Sequence, residues 1–528
     1  MGIGDFDLYY RDLTAKSFEL THQRHLKYGP IFRLGPESVS ICDGKFAKEI
    51  LSSHRFRKPK EIYSHVFQVF LPNIFTTADP DFHRQRKGLL APVFTWANMR
   101  RIEGTVIETG IRPLLAKFHR IARANAADKS GKPAAVVNLY KEFTNLTFDI
   151  TGRLTFGRSF NIINADASQE VFDWFSGYFY YVAITRIFPF LNNRPMPFIP
   201  PVQRGYIGRR GIVNLAITTV RERLDYLKEL DHAYPDREAA AIAGKVPHDI
   251  LQLMIDARDN VADTSADKAP PNLNGSSAGP LKMGEGRCLS PEELASESLV
   301  QMVAGTETTS SALSWVMYAL LSHPHHYQRL VDEVLTAFPL PVDATSDSVD
   351  IIRADSIKAR LPFLGAVIQE TLRYYPSAST SIPRVIPEGG LDYGDYHVPA
   401  GYYVSIPLYA TNRDPQLWSR PEEFIPERWL APVHRPDPDS GSGATVMDPG
   451  VKIGIMTFLS GPRGCLGRNL ALMELQLTLA NLIRQFNWEF ADPANSMLNP
   501  VEYITLRPES KELLVTLTPR MEHGHNRY

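Results

Sequence analysis

Cysteine is scarce in this 528-residue chain: Cys42, Cys288 and Cys465 are the only three. They are too few and too widely spaced for a disulfide framework, and they fit a reducing compartment. The sequons at Asn145 and Asn274 are therefore expected to stay unmodified. Net charge is scarce too: 57 basic residues against 58 acidic ones leave a formal charge of −1, so no global field recruits nucleic acid. The first residues, MGIGDFDLYYRDLTAKSF, hold no apolar run long enough for a signal peptide or a membrane span. Position 6 is Phe6, which weakens a myristoylation reading of Met1-Gly2. No internal repeat is present. What remains is ordinary globular material, 44% hydrophobic and 22% charged, with ample chain for a large core.

The chain reads as mainly helical with small strands. KYGPIFRLGPESVSI (27–41) has the turns and alternation of a strand pair after a helix. From about 100 to 260 apolar residues return every three or four positions, as in a helical array. An apolar, proline-rich loop, FPFLNNRPMPFIPP (188–201), interrupts the array. Residues 259–287 and 435–450 read as flexible polar inserts. Between them starts a long helix, with Ser290 as its cap, Pro291 at its first position and Glu293 closing a capping box, running to about Ser322. With no clean break, one domain is expected.

The stretch FLSGPRGCLG (458–467) places Cys465 just before a long amphipathic helical pattern, where unpaired N–H groups and the helix dipole lower a thiol pKa. Its glycines let backbone lie against a flat partner, and Arg463 offers charge to an anionic group. A thiolate, a flat partner and an acid describe haem with its propionates. An isolated cysteine is more often a structural filler, but here the spacing Phe458, Gly461, Arg463, Cys465, Gly467 reverses that preference.

Those five positions resemble the haem-ligand signature of the cytochrome P450 family. Further elements follow in the family's order. Glu370 and Arg373, which alone would pass for a surface helix pair, resemble the family's Glu-x-x-Arg. Arg428 in FIPERWL resembles the arginine that joins them in a buried ion network, a structural role. Arg384, in what is otherwise an ordinary turn, resembles a propionate ligand. AGTETT (304–309) resembles the oxygen-activating element: Gly305 would make room for a diatomic ligand, Thr308 and Thr309 would open the helix by competing for carbonyls, and Glu307 with Thr308 would deliver protons. In DFHRQRKGLLAPVF (81–94), His83 and Lys87 occupy the family's Trp and Arg positions, a departure that leaves Arg84 or Arg86 as substitutes at the propionates. That basic cluster, with Lys452 and Arg468, suits an acidic redox partner or is simply a solvated face.

The resemblance spans about residues 25–518, with a lead-in at 1–24 and a tail at 519–528. It implies the P450 fold, mainly α with small β-sheets (α+β), as a single large haem domain. The implied cofactor is heme b with an axial Cys465 thiolate. The implied reaction is insertion of one oxygen atom from O2 into a mainly apolar small molecule, as in filamentous-fungal secondary metabolism. Electrons would come from NADPH through a separate NADPH-cytochrome P450 reductase. Oxidative coupling or ring formation without net oxygen insertion is the alternative. Phe67, Phe70, Ile74, Val303, Ala304 and Ser379 to Ile382 are the expected pocket lining. The loop 188–201 suits either a membrane surface contact or a pocket entrance. The expected location is the cytoplasmic face of the endoplasmic reticulum if an N-terminal anchor is missing from this chain, and cytoplasmic otherwise.

Overall fold

The computed structural model describes residues 15–64, 71–127, 136–164, 173–262 with short gaps between 175 and 195 and between 235 and 244, 289–340, 350–430 except 380, and 448–520. Phe67, Phe70, Thr380, Cys288 and the greater part of both polar inserts lie outside these residues.

The capping box forms reciprocally. Glu293 N–H donates to Ser290 Oγ (3.1 Å) and Ser290 N–H to Glu293 Oε2 (2.8 Å), which satisfies two of the helix's orphan donors. The helix runs without interruption over Pro291–Ser322, and most of its second half is buried. A regular helix is not what the hydroxyl run at Thr308 and Thr309 predicts. Neighbouring hydroxyls do bond helix carbonyls, Ser310 Oγ that of Glu307 (3.2 Å) and Ser314 Oγ that of Ser310 (2.8 Å), yet the backbone ladder stays closed. Helices Leu139–Phe156, Pro200–Ala233 and Ile250–Ala262 make up much of the expected array. The last continues into the first polar insert as far as Ala262, its apolar spacing carrying it past the expected boundary.

The chain divides into two compact units interleaved in sequence. One comprises residues 1–57, 106–147 and 307–528, the other 58–105 and 148–306. All the described sheets belong to the first. Ile31–Gly35 and Ser38–Ile41 form the expected hairpin, extended by Tyr403–Pro407 and Ser381–Val385 into a four-stranded sheet. A three-stranded sheet joins Val137–Asn138, Leu514–Pro519 and Phe486–Phe490. Two small hairpins complete the set: Leu391–Tyr393 with Tyr396–Val398, and Pro500–Glu502 with Leu506–Pro508.

Candidate active site

Cys465 sits in a loop whose shape is fixed by its own backbone. Its N–H donates to the Phe458 carbonyl (2.9 Å), Gly464 N–H to Gly461 (3.1 Å) and Leu459 N–H to Met456 (2.8 Å). Leu459 is held at φ +56°, a conformation costing on the order of 1–3 kcal/mol that persists only where the surroundings impose it. Gly461 has φ +68°, and a Cβ there would lie 2.4 Å from Ser52 Cα. Its requirement for glycine therefore comes from close approach to the Leu51–Ser52 backbone, not from a flat partner. At Gly467, by contrast, an added Cβ would meet no atom of the described residues within 4 Å beyond its chain neighbours.

The loop is tied to a buried ion network through backbone and amide bonds. Glu370 and Arg373 are both fully buried and pair at 2.8 Å. Arg428 Nε reaches Glu370 Oε1 (3.2 Å), and Trp429 Nε1 donates to Oε2 (2.8 Å). Arg428 also pairs with Asp448. Arg373 Nη1 donates to the Asn412 carbonyl (3.0 Å). The Asn412 side chain accepts from Met456 N–H (3.1 Å) and donates to Thr457 Oγ1 (3.2 Å), whose hydroxyl donates to the Leu372 carbonyl (2.7 Å). The path from network to cysteine loop thus runs through Asn412 and Thr457, which no local pattern in the sequence marks.

The cysteine is free, and its side chain is accessible. Desolvation by the surrounding protein pushes its thiol pKa up, outweighing the N–H groups of Gly467 and Arg468 and the Arg468 guanidinium, which pull it down. The expected lowering by the helix start is present but is not the larger effect. Coordination to a metal cation removes the thiol proton and reverses that balance. Arg468 lies 5.5 Å from the Phe458 ring centroid.

Arg384, on strand Ser381–Val385, is 2% exposed. Its Nη1 donates to the Pro383 carbonyl (2.9 Å), while Nη2 is buried with no hydrogen-bond partner in the structure. A buried guanidinium with an unsatisfied donor calls for an anion. On the long helix, Ala304 is exposed and Thr308 half-buried, one turn apart on one face, while Thr306, Glu307 and Thr309 are buried. Gly305 has a packing reason besides the sequence expectation: a Cβ there would lie 3.0 Å from the Thr151 side chain.

Glu307 is buried. It accepts from the Tyr140 hydroxyl (3.1 Å) and Thr505 Oγ1 (3.3 Å), with Arg507 Nη1 at 3.6 Å. Ser377 Oγ donates to the Thr308 carbonyl (3.0 Å), and Ser379 Oγ to Glu502 (2.8 Å).

In the second unit, Asp79 caps helix Pro80–Leu90. Arg86 pairs with Glu293 and Glu297 at 3.3 Å each, and Arg84 pairs with Asp81 at 2.8 Å. Arg86 is thus held between two carboxylates within the fold, whereas the Arg84 pair lies at the surface. His83 is buried and Lys87 half-buried on the same helix. A surface cavity of about 550 Å3 is lined by His323, His326, Phe424 and Glu427, among others, and by none of the site residues assigned from the sequence. Its carboxylates are already paired, Glu427 with Arg329 and Glu422 with Arg413.

A free, accessible cysteine on a rigid loop, an open face at Gly467 and an orphaned buried guanidinium in the same unit fit a planar, anionic, metal-bearing group. That is the donor set a haem-thiolate protein requires. The chain belongs to the cytochrome P450 family, whose model matches residues 8–515. It is 30% identical over 497 residues to cytochrome P450 monooxygenase helB3 of Aspergillus fumigatus, covering 92% of this chain and 82% of that one. It is 26% identical over 513 residues to cytochrome P450 monooxygenase cpaH of Aspergillus oryzae, covering 97% and 86%. Its fold matches the haem domain of a cytochrome P450DA mutant with a TM-score of 0.69 at 21% identity, over 96% of this chain and 93% of that structure. The chain is an oxidoreductase of the monooxygenase family, and that family uses haem on a cysteine thiolate.

Proposed function

We propose that Cys465 is the axial thiolate of a heme b, that Arg384 and Arg463 neutralise propionates, and that Phe458 and Gly467 flank the ring. The reaction proposed is insertion of one oxygen atom of O2 into a mainly apolar small molecule of fungal secondary metabolism, with electrons from NADPH through a separate reductase. When bound, the haem supplies the oxygen chemistry, and its thiolate ligand favours O–O cleavage. The chain's own contribution is positional. Arg384 orients the group through charge-assisted bonds, the ion network holds the cysteine loop, and Glu307 with Thr308 takes up protons from water and passes them to the reacting oxygen. The apolar lining at Ile74, Val303 and Ala304 orients substrate and excludes water. Exposed Phe188, Phe198 and Ile199 suit contact with a bilayer surface, which favours a location at the endoplasmic reticulum.

The observation that carries this reading is the unsatisfied Nη2 of Arg384 in the unit that also presents Cys465. The test is a carbon monoxide difference spectrum of the dithionite-reduced protein beside Cys465→Ala. A strongly red-shifted Soret band in the parent that is missing from the variant supports the assignment. Folded, haem-supplemented parent protein without any haem band overturns it.

A further inference from the structure

Three donors from outside its helix reach Glu307, and all three meet the same oxygen. Tyr140 OH, Thr505 Oγ1 and Arg507 Nη1 lie 3.1, 3.3 and 3.6 Å from Oε1, and none of these contacts is made to Oε2. The partners come from different places: helix Leu139–Phe156, the turn of the hairpin Pro500–Glu502 to Leu506–Pro508, and its second strand. That strand is anchored independently of Glu307. The Leu506 carbonyl accepts from Ser311 Oγ and from Trp315 Nε1 (2.9 Å), and Leu506 N–H donates to the Ser377 carbonyl (3.0 Å). Arg507 is therefore placed by its backbone, and Glu307 comes to it.

A carboxylate solvated equally on both oxygens can turn about its last bond, whereas one held at a single oxygen by fixed donors keeps its plane. Oε1 faces one cation and two hydroxyl donors. Burial and the neighbouring Glu307 charge push the Tyr140 hydroxyl far above the usual phenol range, so it remains a donor at neutral pH.

We propose that Tyr140, Thr505 and Arg507 are positioning residues that pin Oε1 of Glu307 and leave Oε2 as the oxygen that handles protons. The proposal rests on the assignment of Glu307 to proton delivery above. In each transfer Oε2 takes one proton from water and releases it toward the reacting oxygen, and the carboxylate is regenerated with its Oε1 contacts unbroken.

The experiment uses the full haem-loaded chain and two readouts. The first is the infrared carboxylate stretch of Glu307, isolated by subtracting the Glu307→Gln spectrum. The second is the share of NADPH oxidation, driven by an added NADPH-cytochrome P450 reductase, that escapes as hydrogen peroxide. Tyr140→Phe combined with Thr505→Val should shift the band and raise peroxide release, by up to about tenfold toward the Glu307→Gln level. Arg507→Met should do the same and Arg507→Lys should restore much of it. Because Arg507→Met removes a buried cation and can misfold, the hydroxyl pair is the primary test. An unmoved band in the folded double variant overturns the pinning. A shifted band with a Glu307→Gln peroxide share equal to that of the parent overturns the proton assignment instead and leaves the three residues as a structural clasp.

Discussion

At the scale of single residues, Arg384 and Cys465 make opposite demands. A buried donor without a partner costs roughly 1–3 kcal/mol, so Arg384→Met should leave the haem-free protein as stable as the parent, or more so, in a urea titration. The same variant should release haem to apomyoglobin faster, by about tenfold, as expected for loss of a charge-assisted bond worth roughly 1.5–3 kcal/mol. A variant less stable without haem yet unchanged in haem release would make Arg384 a packing residue. Cys465 was legible in the sequence because it sits in a short motif of fixed spacing, and Arg384 only through the resemblance, since its local sequence reads equally as an ordinary turn. Tyr140, Thr505 and Arg507 were not, because 167 residues separate Tyr140 from Glu307 and 198 separate Thr505 from it, and no local pattern announces such a meeting.

At the scale of elements, the ion network and the cysteine-loop helix carry the testable energetics. Glu370→Gln removes the carboxylate between two buried guanidinium groups, a change expected to cost about 3–5 kcal/mol. Through Arg373, Asn412 and Thr457 that loss should spread to the cysteine loop. Resistance to limited proteolysis and haem content should therefore fall together, and haem content preserved in a destabilised variant would sever the proposed link. In helix Arg468–Gln485, Glu474 is buried with Oε2 unpartnered, and burial pushes its carboxyl up to about 8. A group whose folded pKa exceeds its unfolded one gives stability present below the unfolded value, near 4.5, and lost as pH rises through about 8. The parent should accordingly lose Tm between pH 5 and 8, by an amount corresponding to at most roughly 5 kcal/mol. Glu474→Gln should flatten that slope, and an identical slope in both would refute the account. Helix boundaries were mostly readable from caps and periodicity, as at Ser290 and Pro291. The packing reason for Gly305 was not, because Thr151 meets it only after two helices pack.

At the scale of the whole molecule, surface chemistry gives a prediction independent of catalysis. Phe198 is 93% exposed, with Ile199 and Phe188 also uncovered nearby, and among the described residues no helix is long and apolar enough to cross a bilayer. Phe198→Asp should lower the fraction of protein that co-sediments with phosphatidylcholine vesicles, while the carbon monoxide spectrum stays unchanged. Equal sedimentation of both proteins would assign the loop to a pocket entrance. The order of the chain has a consequence for biosynthesis. The unit that presents Cys465 is assembled from three separate segments, and the Glu307 clasp closes only when Thr505 and Arg507 join Tyr140. A nascent chain that has already produced Cys465 still lacks the strand that supplies Arg507 to Glu307. The clasp thus waits until residue 507 has been made, and a stop codon placed before Thr505 should yield protein in which Glu307 keeps Tyr140 but lacks Thr505 and Arg507.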